Sequence, residues 1–165
     1  MRRLRKAILL ILLVGVLCPC ITMVADAAEA ELHFTDPDTT VGAEVDVTVN
    51  YSSSTSLQSL NATLTYDADM LRFVSGDSAS GGNGTITIDG TGGGSSIDFA
   101  LKFQALKEGT AKIEVSQAAG TDATGAELDD ITFGSSAVTI GPGDPSLIAP
   151  EGAEGTSLAP LMTEE

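Results

Sequence analysis

Tryptophan is absent from this chain, tyrosine occurs twice and histidine once. The shortage of rings works against a sugar-binding platform, because sugars stack on planar side chains. Cations are scarce as well: 8 Lys and Arg stand against 23 Asp and Glu in 165 residues, a net charge of −15. That balance excludes nucleic acid, whose binders neutralise phosphates with clustered Lys and Arg, and it argues against docking on an anionic membrane surface. A sustained 3.6-residue apolar period is also missing, which leaves at most a single helical turn at Asp67 to Leu71. What is present is 42% hydrophobic sequence, too much for a disordered acidic polymer. The length suits one domain of ordinary size or a smaller one with appendages.

Charge and cysteine divide by position. Arg2, Arg3, Arg5 and Lys6 precede an uncharged apolar run from Ala7 to Leu17, the order of a secretory signal, and small residues at Ala25 and Ala27 place the cut after Ala27. The alternative is an uncleaved anchor, since apolar character continues with interruptions to Val24; Pro19 and the Ala25-Asp26-Ala27 exit favour cleavage. Neither Cys18 nor Cys20 has the preceding residues of a lipoprotein site. Cleavage removes both cysteines and leaves four basic and 22 acidic residues, or −18. A thiol-free exported chain has no disulfide scaffold, thiol nucleophile or cysteine metal site, so its stability must come from a packed core.

The rest reads as all-β. Val45, Val47, Val49 and Tyr51 alternate with polar residues at the period of a half-buried strand. The same alternation runs through Leu60, Ala62, Leu64 and Tyr66; Ile86 and Ile88; Ile97, Phe99, Leu101 and Phe103 (with Gln104 on the polar side); and Ala111, Ile113 and Val115. Shorter apolar pieces at Leu32 to Phe34, Leu71 to Val74, Ile131 to Phe133 and Ala137 to Ile140 bring the total to about nine short strands. Reversals fall at Asp36-Pro37-Asp38, Ser52 to Ser56, Gly81-Gly82-Asn83-Gly84, Gly92-Gly93-Gly94, Lys107-Glu108-Gly109 and Gly120 to Gly125. Many short strands with one apolar face each bury those faces against a second sheet, a β-sandwich. The expected layout is a signal peptide over 1–27, the sandwich over 28–141, and a disordered acidic Pro/Gly tail over 142–165 with no Lys or Arg.

Catalytic signals are lacking. His33 is the one histidine and reads as an edge-strand surface residue, not as the base of a hydrolytic triad. The chain therefore reads as no enzyme. Calcium has oxygen ligands on offer at Asp36, Asp38, Asp67, Asp69, Asp122, Asp129 and Asp130, but none has the spacing of an EF-hand loop, and solvated loop charge is the preferred reading. The Gly-rich runs have no lysine or following helix to cradle phosphate. Asn61-Ala62-Thr63 and Asn83-Gly84-Thr85 fit the N-glycosylation pattern.

Three segments carry a resemblance: Val41 to Val49; the Tyr-Asp-x-x-x-Leu-x-Phe-Val element from Tyr66 to Val74; and Phe103-Gln104-Ala105 with Gly109-Thr110-Ala111-Lys112-Ile113. Together they resemble the cohesin family of cellulosome scaffolds over nearly the whole folded part. The resemblance implies a jelly-roll sandwich of about nine strands that binds a dockerin, a small calcium-loaded module on another secreted protein. In cohesins one flat sheet face receives the dockerin, and polar residues on the strand before the Tyr-Asp element are prominent in it. Carried over, these are Ser59 and Asn61 with Thr63 beside them, and the alternation independently turns them outward. Adjoining strands would offer Thr85, Thr87 and Asp89, and Lys112 and Glu114. One departure stands out: only Gly76 to Gly84 and then Thr85 to Asp89 occupy a stretch where many cohesins place two strands, so a smaller face is expected. The alternative function is a carbohydrate-binding or adhesive module on the same fold, with polysaccharide as the partner, for which no aromatic platform is visible.

Overall fold

The computed structural model describes residues 29–128 and 130–148. The proposed signal peptide, both cysteines, Asp129 and the end of the proposed tail lie outside the described residues. Eleven strands form: β1 (Glu29–Phe34), β2 (Asp38–Thr40), β3 (Glu44–Ser53), β4 (Leu57–Tyr66), β5 (Leu71–Gly76), β6 (Ala79–Gly82), β7 (Thr85–Thr91), β8 (Ser96–Ala105), β9 (Gly109–Asp122), β10 (Asp130–Phe133) and β11 (Ser135–Gly141). They make two sheets, sheet I in the order β10-β1-β3-β8-β5 and sheet II in the order β2-β11-β9-β4-β7-β6. Pairing is antiparallel except for β1 with β10 and β11 with β2. This is the expected jelly-roll sandwich, with more strands than the alternation revealed.

The core lies between the sheets, where each strand's apolar residues meet: Val45, Val47, Val49, Leu101 and Phe103 from sheet I, and Leu60, Ala62, Leu64, Ile86, Ile88 and Ile113 from sheet II. The resemblance motifs are the places where the sheets lock. Phe103 packs edge-on against Tyr66 at 5.3 Å and Phe73 at 5.7 Å between ring centroids, the arrangement that ring quadrupoles favour. Leu71 pairs with Ala105 across the strands, and the Leu106 N–H donates to the Met70 carbonyl at 2.8 Å. The Asp67 to Leu71 segment is a hydrogen-bonded turn, closed by Leu71 N–H to the Asp67 carbonyl at 2.9 Å. At Gly90 the backbone passes so near Phe99 that a Cβ would lie 2.6 Å from the ring; only glycine lets the ring fill that space.

Two strands have no apolar alternation to announce them. β6 is Ala-Ser-Gly-Gly and exists because Asn83 and Gly84, both at positive φ (52° and 89°), fold it back onto β7 with Gly82 opposite Thr85, the two-residue turn that matches strand twist. β2 is three polar residues that extend sheet II beside β11. β6 and β7 both form between the Phe-Val element and the Gly-rich turn, so two strands do occupy the stretch where one was expected.

Three further expectations change. β1 lies between β10 and β3, so His33 is on an interior strand, exposed and 3.1 Å from Glu31. β9 runs on to Asp122 through a bulge at Ser116, where Thr63 pairs with Gln117 and Leu64 with Val115. The extra residue reverses the in/out parity, which is why alternation stopped there. Gln104, on the outer side of sheet I, is only 6% exposed. It accepts from Arg72 and donates to the carbonyls of Gly42 (3.2 Å) and Leu147 (3.1 Å). The chain after Gly141 thus stays against the sandwich through Ile148, with a 3-10 turn at Pro145–Leu147 capped by Asp144.

Candidate functional site

All the residues singled out for partner binding come to the outer face of sheet II. β4 is its axis, flanked by β7 and β9. Register sets Thr63 opposite Thr87, Asn61 opposite Asp89 and Ser59 opposite Thr91 on one side, and Ser59 opposite Thr121 and Asn61 opposite Ala119 on the other. Thr65 lies between Thr85 and Glu114. Since Leu60, Ala62 and Leu64 are buried, the period of two forces their neighbours outward. Ser59, Asn61, Thr85, Asp89, Lys112 and Glu114 are exposed; Thr63 and Thr87 are half-buried by their neighbours.

Side-chain bonds run across the strands and hold this face in place. Asn61 donates its amide to Asp89, Ser59 and Thr121 share a hydroxyl bond at 2.8 Å, and the Ser116 hydroxyl donates to the Thr63 carbonyl at 3.0 Å. Lys112 and Glu114, two apart on β9, form an ion pair. One end of the face holds an open depression of about 560 Å³ whose lining includes Ser59, Asn61, Asp89, Ala119, Thr121 and Glu127. Thr91, Gln117, Ala119, Thr121 and Glu127 belong to the same surface but escaped the alternation. The bulge at Ser116 hid those on β9, and a glycine at inward position 90 hid Thr91.

The depression ends at the loop from Asp122 to Ala126. Asp122 is 8% exposed and accepts from the Thr124 hydroxyl at 2.6 Å, the Thr124 N–H at 2.8 Å and the Ala126 N–H at 3.0 Å. The Thr124 hydroxyl and then the Ala126 amide hold its carboxyl below the usual range. Other calcium candidates are occupied in the same way: Asp36 accepts from the Ala137 N–H at 2.8 Å and Asp67 from the Asp69 N–H at 3.0 Å. Among the described residues no three His, Cys, Asp or Glu side chains converge to hold a metal ion. Hydroxyls and amides gathered on one open face can exchange bound water for hydrogen bonds to a partner.

No known family model matches the chain, and no curated protein does. Solved structures do. The chain is similar to the sixth cohesin of scaffoldin B from Acetivibrio cellulolyticus, in complex with a mutant Cel5 dockerin, at TM-score 0.58 and 21% identity over 68% of this chain and 99% of that one. It is similar to a cohesin module of a family 33 glycoside hydrolase from Clostridium perfringens, at TM-score 0.58 and 14% identity over 71% and 98%. A non-cellulosomal cohesin from the hyperthermophilic archaeon Archaeoglobus fulgidus matches at TM-score 0.54 and 16% identity over 67% and 91%. Likeness at these identities is likeness of backbone, and on that ground the sandwich described here has the fold of the cohesin modules.

Proposed function

We propose that this chain is an exported, non-catalytic module that receives a dockerin-bearing protein on the outer face of sheet II. The observation that carries the reading is the convergence of Ser59, Asn61, Thr63, Thr85 and Thr87 on one open sheet face. Hydroxyls and amides shed water at far lower cost than charges do, and each can exchange that water for a hydrogen bond to a partner. Of the charges on this face, Lys112 is paired with Glu114 and Asp89 accepts from the neutral Asn61 amide, while Glu127 lines the depression at one end. The Acetivibrio cohesin of the same fold is bound to a dockerin, which supports the choice of partner. Extracellular polysaccharide breakdown is the setting such a partner suggests.

A carbohydrate-binding or adhesive role has weaker support. Every aromatic residue of the chain lies in the described part; Tyr51, Tyr66, Phe99 and Phe103 are buried, Phe34 and Phe73 half-buried, and exposed Phe133 is on β10 of sheet I. Among the described residues the outer face of sheet II carries no exposed ring for a sugar to stack on, since Tyr66 of β4 is buried. The proposal is tested by capture from the source organism's secretome with and without a calcium chelator, since a module folded around calcium loses its structure when the ion is withdrawn. Chelator-sensitive recovery of a dockerin-bearing protein is expected. Recovery of polysaccharide alone, or firm retention on cellulose or chitin, would decide for the second role.

A further inference from the structure

Each of the three asparagines in the chain is followed, two residues on, by Ser or Thr: Asn50-Tyr51-Ser52, Asn61-Ala62-Thr63 and Asn83-Gly84-Thr85. The fold treats them very differently. Asn50 lies within β3, its amide donating to Asp98 at 2.6 Å and Ser96 at 3.2 Å, with Tyr51 beside it wholly buried. Asn61 is in the axial strand of sheet II, hydrogen-bonded on both sides by β7 and β9, and its amide is committed to Asp89. Asn83 is exposed at the tip of the β6–β7 hairpin, where a Cβ added at the preceding Gly82 would meet nothing within 4 Å and one at the following Gly84 would lie 3.3 Å from the Tyr66 carbonyl oxygen.

We propose that Asn83 is an N-glycan acceptor in the folded domain and that Asn50 and Asn61 are not. The enzyme that makes this bond must draw the sequon backbone into its own cleft and reach both the Asn amide and the Thr hydroxyl. Asn83 stands at a two-residue hairpin tip, and of its sequon only exposed Thr85, the first residue of β7, is paired on both sides, with Thr65 and Gly82, whereas the sequons of Asn50 and Asn61 lie wholly inside strands paired on both sides. The donor class is a lipid-linked oligosaccharide: Nδ2 of Asn83 forms a bond to the sugar C1, the C1–O bond to the lipid phosphate breaks, the lipid phosphate departs, and the amide proton passes to the enzyme's base. A glycan here would hang from the rim of the sheet II face next to Thr85 and leave Asn61 clear, whereas one on Asn61 would cover it. The physiological role rests on the export proposed above; the geometry does not.

The test uses the purified full chain, folded, with an oligosaccharyltransferase of Asn-x-Ser/Thr specificity and its lipid-linked donor, read by glycopeptide mass spectrometry. One glycan is expected, on the Asn83 peptide, and lost in Asn83→Gln and in Thr85→Val. The proposal is overturned if Asn83 is modified only after the chain is denatured, or if Asn50 or Asn61 is modified in the folded chain. Native protein separates the two readings: recovery outside the cell with Asn83 bare refutes the proposal, while retention in the cytoplasm refutes export and leaves the acceptor result standing.

Discussion

The two outer faces of the sandwich are built by the same alternation and end up chemically unlike. On sheet I, Glu29, Glu31, Glu44, Asp46, Asp98 and Asp130 face out against Arg72 and Lys102. Lys102 lies 3.0 Å from Asp46 and 3.6 Å from Glu44, and its pKa is raised, chiefly by the Asp46 hydrogen bond. On sheet II the corresponding positions are mainly Ser, Thr and Asn. Core packing demands only that one side of each strand be apolar, so the outward side is free to vary. A face of unbalanced carboxylates is costly to strip of water and keeps the domain soluble and apart. A face of hydroxyls can be covered. Outward carboxylates are thus denser on sheet I, and the proposed choice of sheet II rests on that contrast.

Three perturbations test whether one core carries both faces. Phe103→Ala has the largest expected effect, because Phe103 is fully buried between Tyr66 and Phe73 where the sheets lock. A loss of about 3–5 kcal/mol is expected, read as one cooperative shift in denaturant midpoint; separate transitions for the two sheets would show that the faces are not carried by one core. Gly90→Ala comes next. Its Cβ would press on Phe99 beneath the depression of sheet II, at an expected cost of about 1–3 kcal/mol by denaturant titration.

Acid gives the smallest effect, confined to the rim of sheet II. Because the folded-state pKa of Asp122 is lowered, its contribution is complete above the ordinary carboxylate value near 4. It is lost as pH falls through the lower folded value. Hydrogen exchange of the 122–126 amides, corrected for intrinsic pH dependence, should quicken below about pH 4, and Asp122→Ala should be fast at every pH. Equal protection of the loop at pH 3 and pH 7 would contradict this.

How far the sequence was legible depends on which force placed each residue. Where burial decided, as at Val45 to Tyr51 or Leu60 to Tyr66, a period of two revealed the strand and its outward side, and Ser59, Asn61 and Thr63 followed. Where backbone pairing decided, the pattern was silent: β6 contains no large apolar residue and depends on the turn at Asn83 and Gly84, and β2 depends on β11. The bulge at Ser116 reversed parity and so concealed Gln117, Ala119 and Thr121. Gln104 read as solvent-facing because its cover, the chain through Leu147, is distant in sequence. On the candidate face, the outward residues of β4 were legible from the alternation, whereas those beyond the bulge and beside Gly90 were hidden for local reasons.

Docking on sheet II rather than sheet I is tested by one titration: a captured dockerin against the parent chain, Asn61→Arg and Asp98→Arg. Both substitutions put arginine at an exposed strand position where a side-chain partner is lost, and neither should cost the fold more than about 0.5 kcal/mol. Docking on sheet II requires that Asn61→Arg weaken binding by about 30-fold or more while Asp98→Arg leaves it unchanged. Equal affinity for the parent chain and Asn61→Arg, or a loss confined to Asp98→Arg, would contradict it.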